Sequence, residues 1–232
     1  LQTVFDRRVA YGGNVGLIYS VRNKDFTYQS ESHFTAYVEA FQRLVLNHVP
    51  FRIIPLEYLV EDGLEGLDTV VIPGLQGISE EEGELLSQKQ VVELGVNVGT
   101  RDQNWKIRES PMVFERMVGL DKIQPALPFG LEAPKGTFIE YYGDRDGAHR
   151  MYLFAFSPSP SGKLVLSAKR SSEITATTYR LAGARTKQSG VIIEVNINSF
   201  LIVVVASEND ALNTLNPVSL TKKATFLWPG YY

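Results

Sequence analysis

The periodicity of apolar residues changes once along this chain, and that change constrains the fold more than any single residue does. Between residues 14 and 120, short apolar runs alternate with stretches of helical spacing. Asn14-Val15-Gly16-Leu17-Ile18-Tyr19, following Gly12-Gly13, reads as a strand buried on both faces. A polar and aromatic loop runs from Ser20 to Gln29. Phe34, Tyr37, Val38, Phe41, Leu44 and Val45 then recur at helical spacing, with Ser30 or Ser32 placed to cap that helix and Asn47 and Pro50 placed to end it. Residues 51–54 and 69–72 read as the second and third strands, and 95–99 as the fourth. Ser79-Glu80-Glu81-Glu82 has the spacing of a capping box. Ser110-Pro111 opens a last helix through Phe114, Met117 and Val118. Strand and helix in strict alternation demand a parallel sheet with right-handed crossovers.

Pro125, Pro128, Gly130, Pro134 and Gly136 then cluster, and beyond them the period becomes two. Val191, Ile193, Val195 and Ile197 alternate with Ile192, Glu194, Asn196 and Asn198. Further strands are expected at 138–142, 150–156, 163–168, 174–181 and 200–206, with turns at 157–162 and 183–190 and an edge strand at 224–228. Several short strands at this spacing describe an antiparallel β-sandwich. The expected architecture is therefore α/β: a flavodoxin-like parallel sheet over residues 1–121, a linker at 122–136, and a β-sandwich at 137–232.

Charge follows the same division. Residues 1–121 carry 11 basic and 18 acidic side chains, a net −7, whereas 122–232 carry 12 and 8, a net +4. Opposite fields suit two units that meet. The basic half has no Lys/Arg cluster interleaved with aromatics, so nucleic acid is not an expected partner. The longest apolar run, Phe200-Leu201-Ile202-Val203-Val204-Val205-Ala206, falls far short of the ~20 residues that cross a bilayer as a helix, and no membrane partner is expected. The absence of cysteine removes disulfides and thiolate metal sites and leaves the compartment open. The chain begins at Leu1 without a signal segment, as expected for a piece of a longer polypeptide.

Reactive constellations are hard to assemble. His33, His48 and His149 have no second histidine at ligand spacing, so each reads as a capping or surface residue and no metal is expected. Glu80, Glu81, Glu82 and Glu84 sit in the first turns of a helix, where the dipole favours negative charge. The glycines precede the first strand instead of following it, which excludes a dinucleotide fingerprint, and no cofactor is expected. Ser20 ends the first strand without a G-x-S-x-G elbow around it, so it reads as a polar loop residue. The place where open α/β sheets bind ligands is the carboxyl edge of the strands. Ser20, Phe26, Tyr28, Gln76, Arg101, Asp102 and Trp105 collect there from three loops, as a candidate interface or ligand edge.

The run Asn14 to Ser20, the helix from Phe34 to His48, and the segments "VPFRIIPLEYL", "LDTVVIPGLQGIS" and "VNVGTRD" together resemble one module. It is the amidotransferase-like, or trimerisation, domain that follows the catalytic barrel in bacterial β-galactosidases of glycoside hydrolase family 42 and related multidomain glycosidases. "HRMYLFAFSPSP" and "VIIEVNINSFLIVVV" are similar to their small C-terminal β-sandwich. Catalytic relatives of the amidotransferase layout carry a cysteine nucleophile at a sharp turn, where this chain has Val96-Asn97-Val98-Gly99-Thr100-Arg101-Asp102 and no cysteine. The stretch between Glu82 and Gly95 is also short for the helix and strand usual there. The catalytic glutamates of the glycosidases lie in the barrel, so no catalytic residue carries over. The resemblance implies a non-catalytic region whose partners are the barrel of the same polypeptide and further copies of itself in a homo-oligomer, with carbohydrate a candidate ligand. The competing expectations are a cysteine-free amidotransferase- or peptidase-like hydrolase and a sugar-binding module.

Overall fold

A computed structural model describes residues 8–207, apart from 116, 124, 145–149, 158–161, 170–172, 181–184 and 198–199. His149, most of the turn expected at 157–162, and the edge strand expected at 224–228 lie outside the described residues. After β1 (Arg8–Ala10), which joins the second unit, the first unit runs through β2 (Val15–Tyr19), α1 (Val21–Phe26), α2 (Ser32–Leu46), β3 (Phe51–Pro55), β4 (Thr69–Pro73), α3 (Glu80–Ser87) and β5 (Gln90–Leu94). Four of these strands form a parallel sheet in the order β3-β2-β4-β5, the doubly wound order of the flavodoxin-like fold. One face is covered by α2, where Ala40 and Leu44 pack on Val15, Leu17, Val71 and Val92. The other face buries Ile18, Val70, Ile72 and Val91 beneath Leu56, Leu64, Leu86 and Phe114. Burial on both faces explains why β2 and β4 read as continuous apolar runs.

The second unit is an antiparallel sandwich. β6 (Phe129–Glu132), β9 (Gly162–Ala168) and β12 (Ile192–Ile197) form a three-stranded sheet in the order β12-β9-β6. β7 (Phe138–Asp144), β8 (Arg150–Phe156), β10 (Ile174–Arg180), β11 (Arg185–Gly190) and β13 (Phe200–Ser207) build the other sheet, in the order β1-β7-β8-β13-β10-β11. The alternation in β12 places Ile193, Val195 and Ile197 in the core and Ile192, Glu194 and Asn196 outside. They meet Leu153, Leu164, Leu166, Leu201 and Val203 between the two sheets.

Five local expectations are corrected. Residues 21–26, within the stretch expected as a loop, form the helix α1, capped by Ser20. The fourth parallel strand is Gln90–Leu94, not 95–99, because Gly95, Asn97 and Gly99 all have positive φ (91°, 60° and 64°) and form a turn. Among the described residues of 110–118 no helix forms. Phe114 is drawn into the core, and the Val118 N–H bonds the Val91 carbonyl at 2.9 Å, so the segment lies along the edge of β5. Residues 185–190 form a strand, β11, instead of a turn; both its faces are exposed, so it shows no alternation. Finally, α2 has Glu31 (φ 50°) at its cap position and no side-chain cap: Ser30 lies before it, donating to the Thr27 carbonyl at 3.1 Å, and Ser32 lies inside the helix, its hydroxyl accepting from Gln76 Nε2 at 3.2 Å.

The two units meet along β7. β1 precedes the α/β sheet in sequence but pairs with β7, Ala10 opposite Tyr142. Within the stretch expected as a linker, Leu127 and β6 residue Phe129 are buried in the sandwich core. The Tyr141 hydroxyl donates to the His48 carbonyl at 2.8 Å, and His48 Nε2 donates to the Thr137 carbonyl at 3.1 Å. Burial pushes the Tyr141 phenol far above its ordinary value, so it remains a donor. The isosteric change Tyr141→Phe removes one bond across the junction without altering shape. It is expected to cost about 1 kcal/mol in denaturant unfolding; an unchanged midpoint would mean that the hydroxyl contributes nothing there.

Candidate functional site

In a sheet ordered β3-β2-β4-β5, chain direction across the sheet reverses between β2 and β4, and a ligand crevice is expected beyond their carboxyl ends. This crevice is filled by the protein's own side chains. α1 starts immediately after β2, so Ser20 caps it, accepting from the Asn23 N–H at 3.0 Å. His33, in the first turn of α2, is brought to the end of β4 because Gly74 (φ 56°) has no side chain. A Cβ there would lie 2.9 Å from the Ser32 carbonyl oxygen. The imidazole is fully buried and bridges the two strand ends, with Nδ1 2.6 Å from the Pro73 carbonyl and Nε2 3.1 Å from the Ser20 backbone N. A backbone N–H can only donate, so Nε2 is the bare nitrogen and Nδ1 carries the proton. Burial lowers the His33 pKa, against the opposing pull of the Pro73 bond and the Glu57 charge. A neutral imidazole with both nitrogens engaged is a strand clasp, and it is unavailable as a general base.

Glu57 fills the remaining polar position. Its Oε1 accepts from the Ser20 hydroxyl at 2.5 Å and from the Arg22 N–H at 2.9 Å, in the first turn of α1. Burial pushes this carboxyl up, but hydrogen bonds from Ser20, Arg22, its own N–H and Val21 outweigh burial and hold it below its ordinary value. A helix start beside a switch point is a natural anion site, and here the anion is intramolecular. The Ser20 hydroxyl also accepts from Asn23 Nδ2 at 2.9 Å, and Ser20 is completely buried. Ser20 therefore supports the candidate edge from beneath, and its oxygen is not poised for attack.

The support continues outward through Asn23, whose side chain exchanges two hydrogen bonds of 2.8 Å with the Gly77 backbone. Arg22 donates to the Gly77 carbonyl at 3.2 Å and pairs with Glu82 at 2.7 Å. Glu82 completes the expected capping box with Ser79. Gly77 is required by close approach: a Cβ would lie 2.7 Å from the Trp105 ring. Trp105 (φ 66°) rests on that glycine and stacks on Phe26, with centroids 4.7 Å apart and planes at 15°. The Arg101 guanidinium lies 5.4 Å from the Trp105 ring, and its Nη1 donates to the Trp105 carbonyl at 2.9 Å.

Of the sequence-derived edge residues, Phe26, Arg101 and Trp105 thus form one contiguous surface. Phe26 remains 58% exposed after stacking, and Tyr28, just beyond α1, is 77% exposed. Gln76 turns toward Ser32. Asp102 Oδ1 accepts the Asn104 and Lys106 N–H groups, both at 2.9 Å, and builds its own turn. Sequence reasoning missed His33, Asn23 and Glu57 as parts of the site. The Ser20–Asn23 spacing is that of a helix cap and was the available signal for α1; nothing local marks Glu57, which acts across 35 residues of sequence from Arg22.

At the end of β5, Gly95-Val96-Asn97-Val98-Gly99 has the G-x-nucleophile-x-G spacing of a nucleophile elbow. Its central residue has the positive φ of 60° that forces a side chain out of the turn, and Asn97 is exposed. A carboxamide has no nucleophilic atom of useful basicity, and no helix follows the turn. Among the described residues, no group of three or more His, Cys, Asp or Glu residues is placed to hold a metal ion.

No protein-family model and no curated protein matches the sequence. Among solved structures, the fold is similar to part of the apo exo-carrageenase of glycoside hydrolase family 42 from Bacteroides ovatus. The TM-score is 0.53 with 9% identity, over 85% of this chain and 29% of that one. The β-galactosidase from Bifidobacterium adolescentis aligns over 78% of this chain and 92% of that one, at 14% identity and a TM-score of 0.39. The fold comparison rests on the exo-carrageenase, less than a third of whose length this chain spans. A flavodoxin-like unit followed by a β-sandwich is thus a fold carried within a family 42 glycoside hydrolase.

The clasp makes the α/β unit sensitive to acid in a defined direction. Unfolded His33 titrates at about 6.5, and burial lowers its pKa in the folded state. The unfolded chain therefore binds more protons below that value. The clasp's contribution is complete above about pH 6.5 and is lost as pH falls toward the folded pKa. His33→Leu should cost about 3 kcal/mol at pH 7.5, by leaving the Ser20 N–H and Pro73 carbonyl unpaired. The gap from the parent, read from denaturant melts, should narrow between pH 7 and 5. A constant gap would show that His33 is not held neutral; His48 is shared by both proteins and cancels.

Proposed function

We propose that this chain is a non-catalytic C-terminal region of a larger carbohydrate-active glycoside hydrolase, and that it supplies contact surface and no chemistry of its own. The observation that carries this reading is the filled crevice. Where a flavodoxin-like sheet would take a ligand, His33 joins the strand ends and Glu57 occupies the start of α1. Asn97 at the elbow supports the same reading, since a serine or cysteine would be needed there for acyl chemistry. The fold shared with part of the exo-carrageenase supports a place beside a catalytic domain.

The working surface in this reading is the carboxyl edge: Phe26, Tyr28 and Trp105, with Gln76, Arg101 and Asp102 around them. A stacked aromatic pair held on a hydrogen-bonded base offers large flat area at small entropic cost, which is what an interface anchor needs. Its partners are the catalytic barrel of the same polypeptide or a second copy of this unit. Fixed rings also suit a sugar face, so carbohydrate at this edge is the second reading.

Two measurements test the proposal together. The purified chain should not turn over nitrophenyl glycosides, esters or glutamine; turnover abolished by one substitution within it would overturn the non-catalytic assignment. In the complete polypeptide, Trp105→Ala should weaken assembly by about 2 kcal/mol or more, roughly 30-fold, with the fold intact by circular dichroism. Tyr58→Ala, at a position 81% exposed elsewhere on the surface, serves as the control. Unchanged assembly and unchanged glycan affinity in Trp105→Ala would remove this edge as the working surface.

A further inference from the structure

The carboxyl end of the parallel sheet is filled, but its amino end is open. A cavity of about 590 Å³ lies there, within the size range of small-molecule clefts. Strand register explains its lining. Val15, Thr69 and Gln90 lie opposite one another at the starts of β2, β4 and β5. The residues just before them, Asn14, Asp68 and Lys89, therefore stand side by side in one row, two strand spacings or about 10 Å wide. Backbone bonds hold that row: the Asp68 N–H donates to the Asn14 carbonyl and the Gln90 N–H to the Asp68 carbonyl, both at 2.9 Å. Val118, whose N–H bonds the Val91 carbonyl, and Ile123 add apolar lining from the segment beside β5. The cleft is thus preformed from elements that the fold already fixes.

Its chemistry combines a charged acceptor with a charged donor. Asn14 Nδ2 donates to Asp68 Oδ2 at 2.6 Å. A carboxylate only accepts, so this bond fixes the amide and leaves Asn14 Oδ1 buried and without a donor among the described residues. Gln90 accepts from the Thr69 hydroxyl through Oε1, which leaves its Nε2 as a donor. The Lys89 ammonium has no partner among the described residues, and Lys122 adds a second one, in an exposed pair 3.8 Å from Asp121. An anion drawn to the lysines would meet Asp68 and the Asn14 oxygen, and a cation drawn to Asp68 would meet two ammonium groups. An apolar ligand would desolvate these charges without pairing them. A hydroxyl both donates and accepts, so adjacent hydroxyls on one small molecule satisfy Asp68 and Lys89 together through charge-assisted bonds.

We infer that this cleft binds a small, uncharged, polyhydroxylated molecule, a sugar or sugar alcohol, whose hydroxyls bridge Asp68 and Lys89 while its carbon face lies against Val118 and Ile123. Among the described lining residues none is aromatic, so the contact is weak, with a Kd of roughly 1 mM. The site lies at the opposite end of the sheet from Trp105 and is independent of the proposed function, which needs no ligand here.

Amide chemical shifts of the chain of residues 1–232 test it, with galactose, glucose and sorbitol as probes and sulfate as the charged control. At least one of the three should shift the amides of Asp68, Lys89, Gln90 and Ile123 saturably. Asp68→Asn, which keeps an acceptor for Asn14, and Lys89→Met, which keeps the length of the side chain, should each weaken that binding about tenfold or more. Trp105→Ala should leave it unchanged. The inference is overturned by no saturable shift with any of the three up to about 100 mM, by shifts confined to the Phe26 and Trp105 edge, or by parent affinity in both cleft variants. A stronger response to sulfate than to all three would overturn it too, since that would mark an anion site. None of these results bears on assembly through Trp105, so the proposed function is tested separately.

Discussion

The organisation of the α/β unit depends on one buried imidazole. His33 receives the first N–H beyond β2 and donates to the last carbonyl of β4. These two strands flank the switch point, where the chain leaves the sheet in opposite directions and where backbone groups lose their ladder partners. In a ligand-binding relative of this layout, water or ligand would satisfy those groups; here a side chain does. Because Gly74 lets α2 start against the end of β4, the imidazole arrives with helix and sheet already packed. The cost of burying it is limited by keeping it neutral, consistent with its lowered pKa.

Everything at the carboxyl edge builds outward from that closure. Ser20 caps α1 and donates its hydroxyl hydrogen bond to Glu57; Asn23 turns its amide onto Gly77; Gly77 gives Trp105 a flat seat; Trp105 carries Phe26 on its ring. Ser20, Asn23 and Glu57 are engaged beneath the surface, and the outer rings of Phe26 and Tyr28 are left open. Such a chain of satisfied polar groups rigidifies the loops that carry the aromatics, and rigidity suits an interface anchor more than a flexible catalytic loop. The same packing that fills the crevice therefore leaves a firm aromatic surface at its rim.

Much of this architecture was legible in the residues. Buried parallel strands and the alternation in 191–197 carry their signals locally, so the two units and their order follow from period alone. The expected edge residues Phe26, Arg101 and Trp105 do come together, because loops at one end of a parallel sheet must converge. What escaped reading depends on tertiary context. The strand at β5 was displaced because Gly95 and Gly99 look like punctuation of a strand when they are the turn that ends it. The expected helix at 110–118 lost to burial of Phe114 and to the open side of β5. His33 reads from sequence as a capping residue, since nothing nearby reveals that its partners are Ser20 and Pro73. Glu57 is a carboxylate in an ordinary turn until α1 is folded against it.

In this molecule the crevice is closed by the protein's own side chains. The nitrogen chemical shifts of the His33 ring report it most directly, since they distinguish a bare ring nitrogen from a protonated one. The account predicts a neutral ring with the proton on Nδ1 and a bare Nε2, unmoved by galactose or other sugars at millimolar concentration. A proton on Nε2, titration at the ordinary histidine value, or a shift of the His33 signals on adding sugar would show an open site and contradict the account.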